Sequence, residues 1–268
     1  MTGKAHNVER VYNTVRVAYA TRNQSMPDSP LAREVIKGSR RIHAEEKQDI
    51  DRVEFPIAEF RKYCVSNEGR LRTRVRDKCL LAIGLRCMRR PSELATFKRR
   101  HLSWVIPSLH GWLTPEGAIP GYENKWLRVY VRSQKNDQEA HGQFILIEPT
   151  WSVSCPCRLL VYYLQEFQFE IGASTQGGEP LFVSLNDGVS PISSGVVNSA
   201  VKRVAKLFRL AGNITGHSLR IGGCTAAAAA GVPMEIIRVI GGWFSDAMLG
   251  YIRAMAAPAQ LVTARMGL

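Results

Sequence analysis

The hydrophobic pattern of this chain switches period, and that switch limits the fold more than any other feature. Leu127, Val129 and Val131 alternate with Arg128, Tyr130 and Arg132, and Phe144 to Ile147 form an apolar, β-rich run. The ten residues SQKNDQEAHG (133–142) between them are polar. A period of two puts alternate side chains on one face, so residues 126–147 predict a hairpin with a long tip. Elsewhere the spacing is helical: residues 6–22 (with Val8, Val11, Val15 and Tyr19 on one stripe), Pro56 to Val65, Val75 to Lys98, 156–170 and 194–211. Leu181 to Val183 reads as a short strand or turn. The expected fold is therefore mainly α with a small antiparallel β-sheet, an α+β class.

Local punctuation divides the chain. Ser29 before Pro30 supplies an N-cap and a first-turn proline, opening a helix to about residue 44. AEEKQDID (44–51) is a charged linker, so residues 1–50 form a short helical segment and residues 51–268 a larger unit. Near the C-terminus a helix should begin at His217 and run to Ala230. Gly231 then fits a left-handed cap, and Pro233 opens the next helix. That helix carries Met234, Ile237 and Ile240 on one face and stops at Gly241-Gly242. Ser245 or Asp246 can cap a last short helix holding Tyr251.

Bulk properties narrow the partners. No apolar run approaches the ~20 residues that span a bilayer, and MTGKAHNVERVYNT has no apolar stretch behind its charges. The expectation is no membrane and an intracellular chain. The six cysteines are scattered, and Cys155 and Cys157 form a CxC with no second pair at zinc spacing, so reduced thiols are expected. Lys plus Arg total 36 against 23 Asp plus Glu, a formal charge of +13, and the pI is about 9.8. Such a surplus draws in polyanions, nucleic acid among them.

Several residues can carry chemistry. His217 and Arg220, in GHSLRIGG, share a face in the first turn of a helix, where backbone N–H groups and the dipole favour an anion. An imidazole that moves a proton beside a guanidinium that grips phosphate is a useful pair, although a capping His and a surface Arg have the same spacing. Arg90, in RRPSEL, has Glu93 three residues on, close enough to orient the guanidinium; an ordinary ion pair reads the same way. Lys135 falls near the hairpin tip. Trp243 offers one indole N–H donor or simple core packing. Tyr251 carries a phenol of pKa near 10, which attacks only when its proton is removed or its oxyanion stabilised; otherwise it is a buried aromatic.

Taken in series, Arg90-Pro-Ser-Glu93-Leu, Lys135, Gly216-His217-Ser218-Leu219-Arg220, Gly242-Trp243 and Tyr251 resemble the tyrosine recombinase (phage-integrase-like) family over about residues 52–255. That family has an Arg with Glu three on, a hairpin Lys, a His/Lys-x-x-Arg helix start, a His or Trp, and a C-terminal Tyr. Arg90 rather than Arg89 fits the first box, because Glu93 lies three residues later. SQKNDQ, HSLRIGG and GGWFSDAMLGYIR resemble most closely the recombinases of DIRS-like retrotransposons, including their eight-residue step from Trp243 to Tyr251.

The resemblance implies an integrase-like catalytic domain at 51–268, with residues 1–50 a partial helical core-binding (SAM-like) segment. It implies strand cleavage of double-stranded DNA by Tyr251 through a 3′-phosphotyrosyl link. Arg90, His217, Arg220 and Trp243 would surround the phosphate, Glu93 would support Arg90, and Lys135 would protonate the leaving 5′-oxygen. Rejoining would need no ATP, no metal and no cofactor. The reaction would be site-specific recombination or integration of a mobile element by a homotetramer on DNA, in the nucleus of a eukaryotic host. Two alternatives share these residues: relaxation by a type IB topoisomerase, and DNA binding by an integrase fold without chemistry.

Overall fold

A computed structural model describes residues 4–25, 29–31, 34–35, 53–108, 111–113, 125–131, 142–150, 152–172 and 178–243. The chain divides into two compact units, Met1–Asp51 and Arg52–Leu268. In the first, helix α1 spans Lys4–Thr21. Val11 and Val15 on its predicted stripe are exposed. Residues 30–31 and 34–35 are helical. The rest of the helix expected to residue 44, and the linker, lie outside the described residues.

The second unit is built around one buried helix. α2 (Ile57–Val65) leads to α3 (Leu71–Cys87), which is buried without a break from Arg76 to Leu85. Its apolar run 79–85 is buried on every side, as a helix at a centre rather than on a face requires, and Arg76, Asp77 and Lys78 are buried with partners. α3 packs against α5 (Pro156–Phe167), α6 (Ser194–Leu207) and α7 (Gly216–Ala229). Their shared core includes Leu80, Leu81, Ile83, Leu160, Tyr163, Val197, Val201 and Leu219. Polar bonds also cross this core: the fully buried Asp77 accepts from Arg203 of α6 at 2.6 and 2.7 Å and from Arg76 at 3.3 Å.

The single helix expected over Val75 to Lys98 is instead two helices. Met88 adopts the left-handed conformation (φ 52°, ψ 41°), and α4 (Pro91–Ala95) restarts behind a first-turn proline. Proline cannot continue the preceding turn but is suited to opening a new one. A four-stranded antiparallel sheet follows, with spatial order β2 (Gly111–Leu113), β1 (Leu102–Ser108), β3 (Trp126–Val131), β4 (Gln143–Ile147). β3 and β4 are the expected hairpin, with Val131 opposite Gln143 and Leu127 opposite Ile147. Leu127, Val129 and Val131 are buried as their alternation requires. Its tip, and Lys135 with it, lies outside the described residues.

The last segment is punctuated as expected, one residue early at the start. α7 begins at Gly216 and α8 spans Met234–Gly241 after Pro233. Gly231 (φ 79°) and Gly242 (φ 64°) take the left-handed caps. The helix proposed to carry Tyr251 lies outside the described residues.

Candidate active site

The site forms where α3 breaks. A non-glycine residue in the left-handed region costs about 1–2 kcal/mol in isolation. Met88 is held there by burial against Cys224, Ile237 and Trp243. The reversal gives adjacent arginines opposite environments. Arg89 is fully buried, while the Arg90 side chain is 41% exposed.

Arg90 is wired locally. It is the N-cap of α4, and its backbone N–H donates to Glu93 Oε2 at 3.0 Å. Its Nη1 donates to Glu93 Oε1 at 2.7 Å. One carboxylate therefore satisfies a helix-end N–H and fixes the guanidinium at once. Glu93 Oε2 also lies 4.0 Å from Arg89 Nη1. Arg89 donates from Nε to the Cys87 carbonyl at 2.8 Å and from Nη2 to the Ile240 carbonyl. Burial pushes its pKa below the ordinary arginine value, with Cys87 and Glu93 opposing that shift and Arg90 adding to it.

Arg220 is wired across the fold. α7 starts against Pro91, beside Arg90. Its first turn is closed by Asn198 Oδ1 of α6, which accepts the Gly216 N–H at 2.7 Å, and by Ser218 Oγ, which accepts the Thr215 N–H at 3.0 Å. His217 is half-buried in this turn. Further on, a Cβ at Gly222 would overlap the Phe55 carbonyl and one at Gly223 the Leu85 carbonyl, so only this glycine pair lets α7 lie on the neighbouring backbone. The Phe55 N–H donates to the Ser218 carbonyl at 3.0 Å in the same contact. This close approach delivers Arg220, fully buried, to the α3 break. Its Nη1 donates to the Met88 carbonyl at 2.6 Å and the Gly241 carbonyl at 2.8 Å. Its guanidinium carbon stands 3.8 Å from the centre of the Trp243 ring, a desolvated cation–π contact. Trp243 follows the Gly242 cap of α8, 8% exposed.

Arg90, Glu93, Arg220 and Trp243 thus lie around one chain reversal, and His217 opens the helix that carries Arg220. Tyr251, like Lys135, lies outside the described residues. Among the described residues, Arg89, Arg90 and Arg220 gather at this reversal with Glu93 as the carboxylate partner of the first two, and the partly exposed Arg90 is the guanidinium open to a phosphate or another anion. No cluster of metal-ligating side chains occurs among the described residues. Sequence reasoning set Arg89 aside in favour of Arg90, and it missed Asn198 and the close packing at the Gly222-Gly223 pair. Two glycines inside a helix each lose about 1 kcal/mol against alanine, so they were a legible sign of close backbone contact.

No family model matches the chain, and no curated protein matches it. Solved structures do. XerA recombinase superposes with a TM-score of 0.54 at 14% identity, covering 98% of this chain and 82% of XerA. XerH site-specific recombinase bound to its palindromic difH substrate gives 0.52 at 14% identity over 72% of this chain. The Tn1549 transposon integrase with transposon right-end DNA gives 0.50 at 14% identity, covering 88% of this chain and 80% of the integrase. The chain spans about half the length of XerH, 47%. At these identities the likeness is one of fold: the mainly helical unit with its small antiparallel sheet has the fold of these recombinase and integrase structures. No helix among the described residues is long and apolar enough to cross a membrane.

Proposed function

We propose that this chain cuts and rejoins double-stranded DNA as a tyrosine recombinase. The observation that carries this is that Arg90 with its Glu93 partner and Arg220 stacked on Trp243, from separate sequence boxes, flank the same chain reversal at Met88. The fold shared with XerA, XerH and the Tn1549 integrase supports it. In this reading Tyr251 Oη gives up its proton to solvent as it attacks the scissile phosphorus, and the bond to the 5′-oxygen breaks. Lys135 gives that oxygen its proton, leaving a 3′-phosphotyrosine and a 5′-hydroxyl. The reverse attack by a 5′-hydroxyl restores the phosphodiester and frees the tyrosine. Arg90, oriented by Glu93, and Arg220 stabilise the charge that develops on the non-bridging oxygens, with His217 and Trp243 beside them. Donors of this kind contribute roughly 10²–10³ each in rate.

The finer reading is recombination or integration of a mobile element by a homotetramer on DNA. The strings SQKNDQ and HSLRIGG favour an element of the DIRS-like retrotransposon type, which would place the protein in a nucleus. Residues 1–50 would then act as a partial core-binding segment. A second reading, DNA binding without chemistry, draws on the structural use of Arg220, whose Nη1 is spent on two carbonyls. Nicked suicide DNA separates the two. A recombinase leaves a covalent protein–DNA adduct on a denaturing gel that Tyr251→Phe abolishes. No adduct from wild-type protein on several nicked sites would leave only the binding reading.

A further inference from the structure

The last carbonyls of α8 are gripped by side chains from two other elements and from the break between α3 and α4. Gln143 Nε2, at the first residue of β4, donates to the Val239 carbonyl at 2.8 Å and reaches the Ile240 carbonyl at 3.4 Å. Arg89, between α3 and α4, donates to the Ile240 carbonyl, and Arg220 of α7 donates to the Gly241 carbonyl. The final carbonyls of a helix lack partners within it and form the negative end of its dipole. Two arginines there follow generally from that field. A neutral amide contributed by a sheet does not, and its position is informative.

Gln143 stands opposite Val131 in the β3–β4 register, so the two residues bracket the hairpin tip whose sequence contains Lys135. Its strand is anchored independently, because Arg86 Nη2 of α3 donates to the Leu146 carbonyl at 2.8 Å. On the other side, the Val239 carbonyl that takes the Gln143 bond also accepts the Gly242 N–H at 3.0 Å, and the Trp243 N–H donates to the Arg238 carbonyl at 3.0 Å. Gln143 therefore joins the foot of the hairpin to the turn that sets Trp243, eight residues before Tyr251.

We propose that Gln143 is a positioning residue that ties the foot of the β3–β4 hairpin to the end of α8, so that the sheet and the turn carrying Trp243 are set from one hydrogen-bonded node. This rests on the function proposed above. The bond asks for a donor, so substitutions at this position rank by chemistry rather than by size. Gln143→Lys keeps a donor, Gln143→Leu removes it, and Gln143→Glu sets an anion against the negative end of α8.

The test compares these three variants with wild type in two measurements. The first is amide hydrogen exchange of Gly242 and Trp243, followed by NMR on the full chain without DNA. Exchange should rise about tenfold in Gln143→Leu, the loss of roughly one net hydrogen bond. It should rise further in Gln143→Glu and stay near wild type in Gln143→Lys. The second is the rate of covalent adduct formation on nicked DNA, which should fall in the same order while DNA affinity holds. Equal exchange in all four proteins would overturn the link. Ordered exchange with unchanged adduct rates would overturn its bearing on the chemistry. A wild-type protein that forms no adduct would remove the recombinase reading and with it any bearing on chemistry, while the exchange series would still decide whether the bond exists. If Gln143→Glu fails to fold by circular dichroism, the Lys and Leu variants decide alone.

Discussion

Two arginines of the candidate site are held in opposite ways. Arg90 is 41% exposed and draws its orientation from Glu93, three residues away on the same turn. Arg220 is fully buried and draws its orientation from Met88, Gly241 and Trp243, groups far from it in sequence. The first can lose its side chain without disturbing the core. The second is part of the core, joining α3, α7 and α8 at one point. Function and stability should therefore separate at Arg90 and stay entangled at Arg220.

The largest expected effect tests that entanglement. Arg220→Ala removes two hydrogen bonds from a charged donor, strands two buried carbonyls and empties the space over Trp243. The expected loss is about 3–5 kcal/mol of unfolding free energy. Urea titration measures it, and Arg220→Lys should recover only part, because an ammonium cannot bridge both carbonyls and stack on the ring as a planar fork does. A loss below about 1 kcal/mol would place Arg220 in the same category as Arg90. The next effect tests how α7 is brought in. Gly223→Ala forces a methyl into the Leu85 carbonyl and Gly222→Ala into that of Phe55. Each should cost about 1–3 kcal/mol, far outside the gain that alanine normally brings to a helix.

The same contrast explains what was readable before the fold was known. The Arg90–Glu93 pair, the Gly231 and Gly242 caps and the hairpin alternation are short-range, so each was legible from spacing alone. The break at Met88 was not, because a methionine has no local reason to be left-handed; its burial against Cys224, Ile237 and Trp243 holds it there. Strand β1 was missed for a related reason. It lies between β2 and β3, and Trp104 and Val105 are both buried, so a period of two does not stand out. The choice between Arg89 and Arg90 followed a motif, and no local signal indicated that Arg89 would reach Ile240.

A smaller effect comes from pH. Cys224 lies on α7 one turn after Arg220, buried in the cluster with Met88 and Trp243. Burial pushes its thiol up to about 11, while Arg220 pulls it down. A thiol raised in the folded state contributes stability that is complete below its unfolded value near 9. That contribution is lost as pH rises toward 11, at no more than about 1.4 kcal/mol per unit. Unfolding curves at pH 8 and pH 10 should differ less in Cys224→Ala than in wild type. Identical pH dependence in the two proteins would take Cys224 out of the account.

The smallest stability effect is expected at Arg90, where it separates the two sites most clearly. Arg90→Gln removes one partly exposed ion pair, and such pairs contribute about 0–1 kcal/mol. The helix cap survives, because it uses the Arg90 backbone N–H and Glu93 Oε2 rather than the guanidinium. Glu93→Gln weakens both functions of the carboxylate, so it should destabilise more than Arg90→Gln although it removes no charge from the phosphate side. If the proposed chemistry holds, Arg90→Gln should slow adduct formation on nicked DNA by roughly 10²–10³ with an unfolding midpoint close to wild type. Measuring both quantities on the same preparation settles the contrast. A large fall in stability would show that Arg90 is built into the fold as Arg220 is. An unchanged adduct rate would mean that the guanidinium fixed by Glu93 does not face the phosphate, and Arg89 would then be the arginine to test.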